Sequence, residues 1–298
     1  MASTTAHSSP GIDRGHPRVI WLPVILGLIV MYAPVYRDLA ITSWAHDKQI
    51  HGPIVLAVAL YLAWRARSGF SPTGPVRTFP VTGTLLFVAG LLSYVIGRSQ
   101  HIPMFDVGSQ IPVFLGILLL TLGWQGIRTF WFPVFFLAFL VPLPGFIEAG
   151  ATVPLKQHVS SMAETILYAM HYPIARNGVV LTIGAYQLLI ANACSGLHSI
   201  ISLGAMGFLY LYLMGHPALL RNLVVGLCIL PMAIVTNVVR VIILALVTYY
   251  WGIEAGQGFL HGFAGIILFA TAILGLILID GVLGRFLPDK PLNVPQLL

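Results

Sequence analysis

Long apolar runs separated by short polar punctuation dominate the chain, and many approach the roughly 20 residues that cross a hydrocarbon core as a helix. The pattern predicts eight crossings, near residues 19–36, 53–66, 80–97, 107–124, 129–144, 195–214, 222–250 and 262–283. The expected fold class is therefore all-α, a polytopic membrane protein of about eight transmembrane helices. The stretch 145–193 has a different texture. Leu155, Val159, Met162, Ile166 and Met170 recur at helical spacing while Lys156, Ser160 and Glu164 take another face, as in an interfacial helix on the outer side. After Pro173, the residues Val179, Leu181 and Ile183 alternate across Val180 and Thr182. Gly184-Ala185 then turns the chain into Tyr186 to Ile190, which predicts a short β-hairpin before the sixth helix.

Composition agrees with a membrane environment: 58% of the 298 residues are hydrophobic and 8% charged, with a mean hydropathy of +0.91. The net charge of +6 does not build a nucleic-acid surface, because the fifteen Lys and Arg fall singly between apolar runs. They report orientation instead. With the N-terminus inside, Arg14, Arg18, Arg65, Arg67, Arg77, Arg128, Arg221, Arg285 and Lys290 lie on the cytoplasmic side. Arg37, Lys48, Arg98, Lys156 and Arg176 lie outside, and Arg240 lies within the membrane. The excess predicts that both termini are cytoplasmic. Residues 1–17 read as a polar, disordered N-terminus, 18–285 as one transmembrane domain and 286–298 as a cytoplasmic tail. The first apolar run reads as a retained helix, since Ala33-Pro34-Val35 runs directly into Tyr36-Arg37 without a small-residue cleavage site.

Candidate chemistry gathers on the outer side. Of the two cysteines, Cys228 reads as a small packing residue, and its depth differs from that of Cys194 by on the order of 20 Å, too far for a disulfide. Cys194 opens the sixth crossing, where the unsatisfied N–H groups and positive dipole end of a helix lower a thiol pKa. Ser195-Gly196 beside it leaves room for a substrate backbone. Arg240, inside Thr236-Asn237-Val238-Val239-Arg240-Val241-Ile242-Ile243, is an ionisable residue in an apolar run and so a functional candidate by default; Asn237 stands one turn earlier. Two imidazoles compete to serve the thiol: His261 at the head of the last crossing, and His198, four residues after Cys194 on the same helical face. His51 and Asn192 are candidates for orienting roles. No His-Glu-x-x-His or Cys-x-x-Cys spacing appears, so neither a metal nor another cofactor is expected. A transporter that binds an anion at Arg240, or a non-catalytic subunit of an envelope or polysaccharide export machine, are the alternatives in other functional classes.

These motifs resemble the exosortase/archaeosortase family of membrane-embedded cysteine transpeptidases. The resemblance rests on Ala193-Cys194-Ser195-Gly196, Asn237-Val238-Val239-Arg240 and His261, in that order, with His51-Gly52-Pro53 and Val141-Pro142-Leu143-Pro144-Gly145 upstream. It implies a catalytic set of Cys194, Arg240 and His261 near the periplasmic face of a bacterial inner membrane. It also implies substrates: exported proteins ending in a short motif such as Pro-Glu-Pro, a transmembrane helix and a basic tail. Such proteins would be cut through a Cys thioester and transferred to another anchor. One departure stands out, since relatives carry Arg shortly after Cys-Ser-Gly where this chain has His198; it bears on substrate subtype more than on chemistry.

Overall fold

The computed structural model describes residues 17–44, 52–70, 77–189, 197–216 and 218–286. In chain order it contains α1 (Pro17–Leu39) continued by a π turn over Ala40–Trp44, α2 (Gly52–Gly69), α3 (Pro80–Gln100), α4 (Pro103–Gly108), α5 (Gln110–Thr121) and α6 (Gly123–Phe136) with a 3-10 turn over Leu137–Leu140. Then come α7 (Gly145–Ala169), strands β1 (Ile174–Asn177), β2 (Val180–Ile183) and β3 (Tyr186–Leu189), and the helices α8 (Leu197–Met214), α9 (Leu219–Gly262) and α10 (Ala264–Phe286).

The eight segments expected to cross are largely helical over their described residues, but their capacity to span differs. Five helical stretches are long and apolar enough to cross a membrane: Trp21–Trp44, Pro80–Gln100, Pro103–Thr121, Leu219–Gly258 and Gly265–Phe286. A sixth exists if Gly123–Leu140 and Gly145–Ala169, bent by 80°, form one broken span. The second and sixth predicted crossings are not among them: α2 carries Arg65 and Arg67 toward its end, and Ile200–Met214 is a shorter apolar helix.

Three segments are worth comparing with expectation. The helix expected in the 145–193 stretch is present, starting at Gly145 and spanning 25 residues. Val159, Ser160, Ala163 and Leu167 turn inward, whereas Met162, Ile166 and Met170 are exposed. A helix surrounded by lipid sends its small and polar positions toward protein and its large apolar ones outward, the reverse of the rule in water. The predicted hairpin is present but belongs to a three-stranded antiparallel meander in the order β1-β2-β3, with β1 unanticipated. Lastly, the segment between the seventh and eighth expected crossings, residues 251–261, is helical. Most of it belongs to a returning arm of α9 that follows a break at Gly252, whose φ of 87° no helix accommodates.

Each hairpin of the sheet closes through two residues beginning with a glycine of positive φ, Gly178 at 64° and Gly184 at 56°, the geometry that matches the right-handed strand twist. The inward side chains Leu181 and Ile183 are fully buried. They pack against Val238, Val241 and Ala245 of α9 and against Val159, Ala163 and Leu167 of α7. The sheet is therefore fastened to the same stretch of α9 that carries Arg240.

Two polar clusters brace the helices, the first partly exposed and the second buried. In the first, Arg98 at the end of α3 bridges Asp38 of α1 at 2.6 Å and Asp106 of α4 at 3.3 Å. Beside it the Tyr32 hydroxyl meets Ser109 Oγ at 2.9 Å, and the Tyr36 hydroxyl donates to Gln110 Oε1 at 2.6 Å. In the second, Asp280 of α10 accepts from Arg221 Nε at 2.7 Å and from the Tyr210 hydroxyl at 2.8 Å, and lies 2.9 Å from His216 Nε2. Arg98 and Arg221 thus do more than bias orientation. At the opposite end of α9, Tyr249, Tyr250 and Trp251 form an aromatic group with Tyr172, as side chains at a membrane interface do. The hydroxyl contact of Tyr172 with Tyr250, 2.9 Å, raises the Tyr172 phenol above its ordinary pKa.

Candidate functional site

The structure describes the candidate residues unequally. Cys194, Asn192 and His51 lie outside the described residues. His198 falls in the first turn of α8 and His261 in the returning arm of α9, and for both the description extends to the backbone alone. Asn237 and Arg240 are seen in full, at 2% and 8% exposure. Cys228 is a free, half-buried thiol.

The local order around Arg240 follows from helix periodicity. Successive turns of α9 place Ala233, Asn237 and Arg240 on one face. Ala233 packs in one cluster with Leu203 of α8 and with Leu268 and Ala272 of α10. Val238, Val241 and Ala245 point instead to α7 and the sheet. Asn237 donates from Nδ2 to the Ala233 carbonyl at 2.9 Å, and its Oδ1 is buried without a hydrogen-bond partner among the described residues. Thr236, equally buried, returns its hydroxyl to the Met232 and Ala233 carbonyls at 3.0 Å.

Two antiparallel registers fix what stands at the depth of Arg240. Along α8 and α9, Leu203 is layered with Ala233, Gly207 meets Ile229, and Gly226 meets Leu211. Along α9 and the chain that follows it, Gly256 presses on Thr248, Ala233 is layered with Leu268, Leu276 with Val225 and Ile229, and Asp280 with Arg221. The first register is seen from Leu203 to Leu211, and the second at Gly256 with Thr248 and again from Ala233 down to Arg221. From the layer of Ala233 to Arg240 is seven residues, about 10 Å of helix. The same step outward from Leu203 passes Leu197, the first residue of α8, by one position; from Leu268 it arrives at His261. Extended at the same pitch, the two registers put Arg240 level with the N-terminal end of α8 and with the backbone of the returning arm near its end.

The returning arm owes its place to two glycines. Gly252 breaks α9, and Gly256 lets the arm lie against the fully buried Thr248, whose hydroxyl any β-carbon at that position would strike. Sequence reasoning had no signal for this arm beyond the spacing of Gly252, Gly256 and Gly258. It also missed the bracing role of Arg221, a residue indistinguishable in sequence from a loop cation. Among the described residues, no group of three or more His, Cys, Asp or Glu side chains is arranged to hold a metal ion.

No curated protein and no solved structure gives a significant match to the chain. A family model described as transmembrane exosortase, however, matches residues 43–278, a span that takes in α2 to α9, the sheet and most of α10. The chain belongs to the transmembrane exosortase family.

Proposed function

We propose that this exosortase is a membrane-embedded thiol transpeptidase that cleaves the C-terminal sorting signals of exported proteins, with Cys194 as nucleophile, Arg240 as electrostatic stabiliser and His261 as the proton-transferring imidazole. The observation that carries this reading is the depth register: Arg240 is buried level with the outer end of α8, three residues of chain from Cys194, and with the segment that holds His261.

In the proposed reaction the Cys194 thiolate attacks the scissile carbonyl carbon, and the carbonyl electrons move to oxygen. Arg240 stabilises that oxyanion. A fixed cation in a water-poor site is worth several kcal/mol of transition-state stabilisation, about the scale of a lost oxyanion donor. As the tetrahedral species collapses, the C–N bond breaks and the protonated His261 gives its proton to the departing amine, leaving a thioester. The neutral imidazole then takes a proton from the incoming amine or water, which attacks the thioester and releases the thiolate. Each proton and electron pair is returned, so the enzyme needs no cofactor for this cycle. A substrate anchored by its own transmembrane helix diffuses in the plane of the bilayer and presents its junction at one depth. The corresponding topology has eight crossings, both termini in the cytoplasm and the site near the periplasmic face of the inner membrane, as the distribution of Lys and Arg supports.

The test is a Cys194→Ala variant expressed beside an exported protein that ends in motif, helix and basic tail. Processing, read as a gel shift of the tagged substrate, is expected to be abolished while the variant remains in the membrane fraction. Cleavage at the unaltered rate would overturn the reading. In the active enzyme, rapid acid quench followed by mass spectrometry should find the substrate acylated on Cys194.

A further inference from the structure

Strand β3 ends five residues before Cys194 and has one edge in use. Among the described residues it pairs with β2 alone, in the register Ile183↔Tyr186, Leu181↔Leu188. The two-residue turn Gly184-Ala185 makes Ile183 and Tyr186 a hydrogen-bonded pair, and alternation makes Leu181 and Leu188 the next. The backbone N–H and C=O groups of Gln187 and Leu189 therefore point away from β2, toward the open edge. Gln187 is exposed. A row of such groups is completed by one class of partner, an extended peptide backbone.

The direction of β3 says which peptide. Tyr186, at its start, has its hydroxyl beside Gly252 at the outer break of α9, whereas Leu188 packs in the cluster of Ala245. The strand thus runs inward along α9, from the level of Gly252 toward that of Arg240. An exported protein that enters the membrane through a C-terminal helix runs in the same sense, from its outer domain through an extended junction into the bilayer.

We infer that the open edge of β3 binds the extended segment ahead of the substrate's anchor helix as a parallel added strand, with the backbone of Gln187 and Leu189 as the pairing groups. This inference rests on the transpeptidase reading for its occupant. Pairing by main chain leaves sequence selection to pockets for alternate side chains, and it aligns the scissile bond by register. An extended segment held at two or three backbone hydrogen bonds cannot slide by a residue without turning each of its side chains to the other face.

The experiment places a photoreactive benzoylphenylalanine at Gln187 in the full-length chain carrying Cys194→Ala, with the tagged substrate co-expressed. Irradiation is expected to give a crosslink whose mass-mapped site lies in the extended segment, within a few residues of the anchor helix. A crosslink to the anchor helix, to a second copy of the enzyme or to residues of this chain would overturn the inference, as would no crosslink to substrate. A second variant in the Cys194-containing chain, Gln187→Pro, removes an outward N–H and leaves the ladder to β2 intact, since proline is tolerated where the missing donor faces away from the sheet. Processing should fall about ten- to hundredfold, the loss of one to two backbone hydrogen bonds together with displacement of the added strand. Alkylation of Cys194 by iodoacetamide reports whether the thiol remains in place. Unchanged processing by Gln187→Pro would sink the edge-binding inference alone; continued cleavage by Cys194→Ala would sink the transpeptidase reading, while the crosslink would still report the occupant of the edge.

Discussion

Arg221 and Arg240 stand on the same helix, nineteen residues or about 28 Å apart, and both are withdrawn from solvent. Their surroundings separate their roles. Arg221 meets the Asp280 carboxylate at 2.7 Å, and Tyr210 and His216 share the same carboxylate, so the cation is a brace between helices that carry opposite charges to one layer. Arg240 lies one step along α9 from a layer of Leu203, Ala233 and Leu268, one turn from an asparagine whose Oδ1 has no partner among the described residues, and by register level with the N-terminal end of α8 and the returning arm. Burial alone does not mark a functional arginine. What it faces does.

Breaking the brace should produce the largest effect. Arg221→Met leaves Asp280 as a buried carboxylate without its guanidinium, a change worth about 3–5 kcal/mol in stability when one partner of a buried pair is removed. The expected result is a loss of folded protein in the membrane, read as accelerated protease digestion and a lower midpoint of thermal aggregation in detergent. Arg221→Met combined with Asp280→Leu should recover much of that stability, because an apolar pair of similar volume replaces the charges. If the single variant were as stable as the parent, Arg221 would be no brace and the contrast with Arg240 would collapse.

Arg240→Gln tests the other side. If Arg240 stabilises an oxyanion, its loss should lower the processing rate about 10²- to 10³-fold, or about 2.7–4 kcal/mol of activation free energy, with protease resistance close to that of the parent. Arg240→Lys should recover little, since a point charge on a flexible stem does not reproduce the planar fork. A variant that loses stability and activity in proportion would mean that Arg240, like Arg221, is a brace.

The degree to which these features are legible in sequence follows from the solvent. Where the chain is apolar all round, the membrane leaves helix as the economical solution, and the apolar runs translate into α1 to α6 and α8 to α10 with shifts at their ends. The β2–β3 hairpin is legible because Leu181 and Ile183 alternate and Gly184 punctuates. Strand β1 is not, because Ile174-Ala175-Arg176-Asn177 shows no such alternation and is held by its neighbours: Arg176 Nε donates to Glu164 of α7 at 3.0 Å and its Nη1 to the Gly178 carbonyl at 3.1 Å. Helix α7 is legible from its spacing, although which positions meet protein is not: Ser160 and Ala163 turn inward while Met162 and Ile166 are outward. At the site, Arg240 announces itself by lying in an apolar run. The level it shares with the outer end of α8 and the returning arm depends on two long-range registers, which no local pattern encodes.

The smallest expected effect sharpens the comparison most, because it moves the surroundings of Arg240 without touching the residue. The arm that carries His261 is held against α9 where Gly256 meets Thr248, a fully buried residue whose hydroxyl donates to the Leu244 carbonyl at 2.9 Å. A methyl group at position 256 collides with that hydroxyl, whereas the next atom, Thr248 Cβ, would stand at 3.3 Å, a tight contact relieved by a shift of a few tenths of an ångström once the hydroxyl has gone. Gly256→Ala should therefore cost about 1–3 kcal/mol through overpacking and push the arm away from α9, while Thr248→Ala alone removes one internal hydrogen bond at about 1 kcal/mol. The double variant should process substrate faster than Gly256→Ala, with a coupling of about 1 kcal/mol, or roughly fivefold in rate, measured as a double-mutant cycle under single-turnover conditions. Such coupling is what a His261 that works at the level of Arg240 requires, since only the spacing of the two arms has changed. Strict additivity of the two substitutions would mean that the returning arm can shift without consequence for the reaction, and it would transfer the imidazole's role to His198, which rides on α8 and is independent of that contact.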